Sequence, residues 1–387
     1  MSAIAIACAV AFAPVIALFG CALLIGLLSQ LPKRYATLNL FILITFIFLN
    51  AVVYSSRTVG ASPFDDMSYS YYPQYLEIRE LGLFKHLDTQ QSMVTISRAE
   101  IGLPLVLAVL ALVPIKLSEN GLLFAIFLLF GLGVFWALSK ARFEDARDRN
   151  IVIAVTLFLC AWGISTQAVR QSMSCVFVLA YLTSNKQRYI PIAIFFHLSA
   201  IWYFGVAALS RGMRLRASVP IAALAALFIS SLANNIGDLA NVIDKAVFYQ
   251  DTQSIEDMRV NYQILPISLL VIALGIGLSR PGFGAPALRD INKHAALNNV
   301  ASLGALELPL AMFRLNVLYT SVLPGLLIGQ MVSHRKFHRI YPVMWAALLY
   351  IVLMVSRIGR DESQFGLLKH YAGINKTPFY YIGHFVK

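Results

Sequence analysis

Residues 121–138 read GLLFAIFLLFGLGVFWAL, a stretch without one charged side chain. A helix crosses the hydrocarbon core of a bilayer with about 20 mainly apolar residues, so this segment points to an all-α membrane protein. The rest of the chain repeats the signal. Comparable apolar segments lie at 4–31, 38–54, 151–167, 171–184, 219–235, 263–279, 298–315, 318–333 and 340–356. Together they predict a polytopic protein with about 10 transmembrane helices.

Composition agrees. Of 387 residues, 59% are apolar and only 13% charged, with mean hydropathy +0.72; a soluble domain carries about a quarter charged residues. A soluble enzyme and a disordered chain are both excluded. The formal net charge of +12 does not indicate a nucleic-acid binder either, because Lys and Arg form short clusters between apolar runs and no basic face. Cys8, Cys21, Cys160 and Cys175 all fall in apolar stretches without metal-ligand or disulfide spacing, and read as small buried hydrophobes. The segment from Ala3 to Leu31 lacks a basic leader and is too long for a signal core of roughly 7–15 residues, so it reads as the first span.

The basic clusters set the expected orientation. Connectors at 33–34, 140–149, 186–188, 211–216, 280–293 and 335–339 hold 17 of the 31 Lys and Arg, and are expected in the cytoplasm by the positive-inside rule. The loops 55–100 and 236–262 carry more acids than bases and are expected outside, as is the C-terminal tail 357–387. The chain forms a single integral membrane domain in this reading. Alternating sides along it works only if 101–115 begins and ends outside while 189–209 begins and ends inside. Each is then a re-entrant or half-helix element. The competing arrangement makes 189–209 an ordinary span. Broken backbone at membrane depth survives only where it is buried in protein or lines a wet cavity, so such elements mark a site.

Ionisable groups inside apolar runs cost at least ~2.5–3.5 kcal/mol each, and are functional candidates by default. Arg170 and Gln171 lie in the polar break GISTQAVRQSMSCVF, beside Ser165, Thr166, Gln167 and Ser172. A guanidinium there suits a bidentate clamp on phosphate or diphosphate, or an interfacial arginine reaching headgroups. His197 sits in YIPIAIFFHLSAIWYF, about 14 Å along a helix from Arg188, as a structural residue or a catalyst; Ser199 suits a helix break beside it. Glu307 and Arg314 share a helix face in LGALELPLAMFRLNVLY about 10 Å apart. The first external loop joins Asp65 and Asp66 to Tyr69, Tyr71, Tyr72 and Tyr75. Carboxylates with general-base capacity next to aromatic faces suit a sugar site, although tyrosines also form membrane-interface belts.

DDMSYSYY, SRAEIGLPLVLAVLAL, GISTQAVRQSMS, IPIAIFFHLSAI and MFRLNVLY, in that order over about residues 50–330, resemble the EpsG-like and Wzy-type polymerases of bacterial O-antigen, capsule and exopolysaccharide. That family shows an acidic-tyrosine loop, a Glu-Gly-Tyr-like start of a short helix, an Arg-Gln pair, a short apolar helix ending in His-x-Ala or His-x-Ser, and an arginine shortly before a tyrosine. Here the acidic pair reads Asp65-Asp66-Met67, so either aspartate fills the position, and Glu100-Ile101-Gly102-Leu103-Pro104 lacks the tyrosine.

The resemblance implies a glycosyltransferase of the bacterial inner membrane. It would join undecaprenyl-diphosphate-linked oligosaccharide repeat units at the periplasmic or external face, with lipid-linked donor and acceptor as partners. A flippase and a chain-length regulator would act beside it, with membrane lipids around it and no nucleic acid. Asp65 or Asp66, and after them His197, would deprotonate the acceptor hydroxyl. Arg170 and Arg314 would stabilise the departing diphosphate, and Glu100 or Glu307 would orient an arginine or the acceptor. Gln171, Tyr69 and Tyr72 complete the expected substrate contacts, with no cofactor and no metal. A lipid-linked-glycan transporter or flippase and a membrane acyltransferase of surface glycans are the alternatives.

Overall fold

The computed structural model describes residues 36–55, 67–90, 100–143, 145–159, 169–212, 218–225, 227, 268–280, 288–303, 316, 318 and 322–333. Their principal elements are all helical. They are α1 (Ala36–Ser55), a π-helical turn (Met67–Tyr71) continuing into α2 (Tyr72–Leu81), α3 (Leu83–Gln90), α4 (Gly102–Ala111), α5 (Glu119–Ser139), α6 (Ala146–Leu159), α7 (Val169–Ser184), α8 (Tyr189–Phe196), α9 (Ala200–Gly212), α10 (Ser268–Ser279), α11 (Arg289–Ser302) and α12 (Leu323–Ser333). The expected all-α class is what forms. Among the described residues one helix, α5, is long and apolar enough to cross a membrane. The expected spans 4–31 and 340–356, the loop 236–262 and the tail 357–387 lie outside the described residues.

α5 is where the sequence signal was strongest, and its start shows why it begins there. Ser118 caps it by accepting the Gly121 N–H at 3.1 Å, and Glu119 puts a negative charge at the positive end of the helix. Phe127 and Phe130 are buried, and Phe124 meets Phe48 of α1 edge to face at 5.5 Å. α7 runs parallel to α5: Val176 occupies the space over Gly133, and Thr183 Oγ1 donates to the Ala137 carbonyl at 2.9 Å.

The segment 189–209 is two helices, α8 and α9, parted by an extended residue at His197. α8 runs antiparallel to α7, since Ser174 Oγ donates to Ala193 O at 2.8 Å and Gln171 Nε2 to Ser199 Oγ at 3.1 Å. α9 returns alongside α7, ending with Arg211 on Asn185 Oδ1 at 2.5 Å and on the Tyr181 and Leu182 carbonyls. The pair is a helical hairpin. Both of its ends lie among Lys140, Arg188 and Arg211, and only its tip is remote from them. Lys140 lies 4.1 Å from the Trp136 ring and Arg188 bonds the Tyr189 hydroxyl.

α6 and α12 pack antiparallel and close. Added Cβ atoms at Gly325 and Gly329 would meet the Thr156 carbonyl oxygen at 2.8 Å and the Val152 Cα at 3.0 Å. The spacing Gly325-x-x-x-Gly329 gives one face without side chains, which lets helix backbones approach where apolar surroundings offer little other driving force.

One expected boundary is corrected. The connector was expected to run to Lys293 and the span to begin near 298, yet a single helix, α11, runs from Arg289 to Ser302 and buries Asn292, His294, Asn298 and Asn299 completely or nearly so. Polar side chains enter this core because they pair across helices. Asn292 and Gln330 exchange two amide bonds at 2.9 and 2.8 Å. The Trp202 indole donates to Asn298 at 2.6 Å, and His294 Nε2 meets the Tyr203 carbonyl at 2.8 Å. Lys293 binds the Ser210 carbonyl. Hydropathy places Asn292 and Lys293 in a polar connector; hydrogen bonding makes them part of an interior helix.

Candidate functional site

At the tip of the hairpin four chain segments converge. α4, α7 and α9 begin there, and α8 ends there. A helix start carries about half a positive charge from its aligned peptide dipoles, which makes this place electropositive before any side chain is considered, although at α9 the first N–H groups already donate to the His197, Leu198 and Ser199 carbonyls. One carboxylate answers that field. Glu100, directly ahead of α4 and 8% exposed, accepts from Arg170 Nη1 at 2.9 Å through Oε2 and from the Leu198 backbone N–H at 3.1 Å through Oε1.

His197 completes the cluster. Its Nε2 lies 3.7 Å from Glu100 Oε1, and its Nδ1 lies 2.8 Å from Ser199 Oγ. Ser199 in turn accepts from Gln171 at 3.1 Å. The extended backbone at His197 (φ −161°, ψ 131°) ends α8 and turns the chain into α9. Gly102 permits the tip to pass: a Cβ there would lie 2.7 Å from the Phe196 ring and 3.0 Å from the Phe196 Cα. Phe196 itself stacks on Phe177 at 5.4 Å. Below the cluster, Tyr203 and Cys175 are buried within hydrogen-bonding reach of each other, and Tyr203 also reaches Gln171.

Four residues singled out in the sequence, Glu100, Arg170, Gln171 and His197, thus form one connected group. Ser199 and the Leu198 N–H are parts of it that the expected site did not include; the polar residue two places after a histidine in an apolar run was the available signal. Tyr69 and Tyr72 are elsewhere. Tyr69 is 65% exposed. Tyr72 stacks on Tyr75 and donates to the Leu117 carbonyl at 3.4 Å, where burial and the nearby Glu119 carboxylate hold its hydroxyl above the usual phenol range. Asp65, Asp66, Glu307 and Arg314, with Ser165, Thr166 and Gln167, lie outside the described residues.

A second arginine unanticipated from sequence serves the scaffold. Arg79 donates to the carbonyls of Ala111, Val113 and Pro114 at 3.2, 2.8 and 2.9 Å. It caps the C-terminal end of α4, where backbone acceptors are unpaired and a cation is favoured. α4 is therefore tied at both ends, through Glu100 and through Arg79. Chemically, the cluster offers a guanidinium that is one-third exposed and oriented by a carboxylate, beside helix N-termini, which is an arrangement that accepts an anion. Set against known protein families, curated proteins and solved structures, the chain matches none.

Proposed function

We propose that this chain is a polytopic membrane glycosyltransferase, a polysaccharide polymerase that joins lipid-diphosphate-linked oligosaccharide units at the external face of a bacterial inner membrane. The observation that carries the reading is Arg170, held by Glu100 where a broken helix and three helix N-termini meet. Half-helix N-termini aimed at an anionic group are a recurrent device of membrane binding sites, and a preset guanidinium stabilises charge growing on a departing diphosphate.

Orientation supports the same reading. Lys140, Arg188 and Arg211 collect at the base of the α8–α9 hairpin, which the positive-inside rule assigns to the cytoplasm; the tip, with His197 and Glu100, faces away. Asp65 or Asp66 from the first external loop supplies the base in this mechanism. The acceptor hydroxyl gives its proton to that carboxylate, its oxygen bonds to the anomeric carbon, and the anomeric C–O bond breaks with its electron pair leaving on the diphosphate. Arg314 is the second cation of the proposal.

The test is direct. The full chain in lipid vesicles, supplied with lipid-diphosphate-linked repeat units, should produce a ladder of longer glycans, and Arg170→Ala should reduce it about 100-fold. Units that stay unlengthened, whether moved across the vesicle or increased in mass by one acyl group, overturn the polymerase reading.

A further inference from the structure

At the base of the hairpin two connections meet, one following α5 and one joining α7 to α8, and each brings a cation to the same pair of rings. Lys140 Nζ stands 4.1 Å from the centre of the Trp136 ring and 5.9 Å from that of Tyr189. Arg188 Cζ stands 5.2 Å from the Tyr189 ring, and its Nη2 donates to the Tyr189 hydroxyl at 3.2 Å. The rings are themselves fixed. Trp136 meets Tyr189 edge to face at 5.4 Å and Phe177 at 6.1 Å, and Tyr189 is buried.

An aromatic face attracts a cation without cancelling its charge, whereas a carboxylate would neutralise it. Among the described residues no carboxylate oxygen lies within 4.0 Å of Lys140 or Arg188. Arg211, the third cation of the base, differs: it is committed to Asn185 and two backbone carbonyls and lies 4.0 Å from Asp290. Two positive charges are thus held in place with their charge still available to an anion.

An apolar strip leads away from them. Arg188 has helical backbone directly ahead of α8 (φ −57°, ψ −19°), so it shares a helix face with Ile192, four places on, and with Phe195, three places further. Ile192 and Phe195 are 38% and 39% exposed. From the base toward the tip the surface therefore presents charge, then amphipathic rings, then hydrocarbon. A phospholipid presents phosphate, glycerol and acyl chain in the same order, and Trp and Tyr favour the depth between.

We propose that Lys140 and Arg188, held by Trp136 and Tyr189, bind the phosphate of one anionic phospholipid of the cytoplasmic leaflet, with an acyl chain lying along Ile192 and Phe195. Arg188 supplies a planar fork of N–H donors to the phosphate oxygens and Lys140 a compact charge. The site rests on the membrane placement and orientation in the reading above and not on its glycosyl transfer, since it lies at the opposite end of the hairpin from Glu100. It anchors the end of α5 and the start of α8 to one leaflet.

Native mass spectrometry of the full chain in detergent, titrated with phosphatidylglycerol and phosphatidylcholine of the same acyl chains, tests this. A basic side chain beside an anionic headgroup contributes about 5-fold in affinity, so the first phosphatidylglycerol should bind about 25-fold more tightly than phosphatidylcholine. Excess inorganic phosphate should leave that preference in place. Lys140→Gln and Arg188→Gln should each reduce it about 5-fold, while Lys186→Gln, an exposed cation of the same turn, should leave it unchanged.

No preference in the wild-type chain overturns the site without recourse to any variant. So does its loss to inorganic phosphate, which would mean a free-anion site. An equal loss in Lys186→Gln would show diffuse attraction to basic loops and overturn it as well. Glycan lengthening is measured apart from this: a chain that prefers phosphatidylglycerol but lengthens nothing removes the polymerase reading alone, and one that lengthens glycan without the preference removes the lipid site alone.

Discussion

Glu100 and Arg170 are seventy positions apart in the chain and meet at 2.9 Å, which ties the start of α4 to the start of α7 beside the hairpin tip. Hydrogen bonds to charged groups contribute about 1.5–3 kcal/mol, and with the Arg170 side chain 34% exposed the lower end applies because water screens the pair. The carboxylate has the larger structural share, since it also holds the Leu198 N–H.

If the chain is the polymerase proposed above, Glu100→Gln should lower both polymer output and thermal stability, whereas Arg170→Gln should lower output with a smaller stability change. In the double variant the two stability losses should not add, because each single change already breaks the shared bond. Thermal unfolding of the purified variants in detergent, with surface polysaccharide measured in the producing cells, checks this. Additive stability losses would show that the pair is not formed.

The α6–α12 contact makes a packing prediction. At Gly325 the neighbour is Thr156 backbone, which cannot move aside as a flexible side-chain end does. Gly325→Val should cost about 1–3 kcal/mol through forced separation of the helices. Gly205→Ala, where a Cβ meets nothing within 4 Å, should be neutral or slightly stabilising. Equal behaviour of the two variants in thermal unfolding would show that the close approach is absent.

How much of this was readable beforehand differs by residue. α5 was plain because eighteen uncharged positions leave no other element to propose. The break in 189–209 was inferred from charge alternation, and its place at His197 agrees with Ser199, which suits a helix break there, and with the one histidine in an apolar run. Arg170, Gln171 and His197 were each visible as polar residues out of place, and Glu100 entered only through the family resemblance; their meeting was not legible, because nothing in a sequence gives the distance between positions 100 and 170. α11 was misread for a physical reason. Asn292, His294 and Asn298 are polar by any transfer scale, and their burial depends on partners at Gln330, Tyr203, Trp202 and Asn316 that hydropathy cannot count. The Gly325–Gly329 spacing was present in the sequence and overlooked.

Orientation supplies a further prediction. With native cysteines replaced, Tyr69→Cys should react with a membrane-impermeant maleimide in intact spheroplasts, because Tyr69 is exposed and belongs to the expected external loop. Lys186→Cys, in the exposed turn after α7 beside the Arg211–Asn185 contact, should react only after permeabilisation. The reverse pattern would invert the topology and place the Glu100 cluster toward the cytoplasm.

The Asn292–Gln330 pair makes the last prediction. Each amide both donates to and accepts from the other, and both side chains are buried. Removing one partner leaves a buried amide without its bonds, at about 1–3 kcal/mol, although measured interhelical bonds within membranes average nearer 0.6 kcal/mol. Asn292→Leu alone should thus lower the unfolding temperature, and Gln330→Leu alone should do the same. The double change to leucine removes both unsatisfied groups and should recover most of the loss, since replacing both partners by apolar groups of similar shape is nearly neutral. A double variant less stable than either single one would mean that the pair holds α11 against α12 by more than mutual satisfaction.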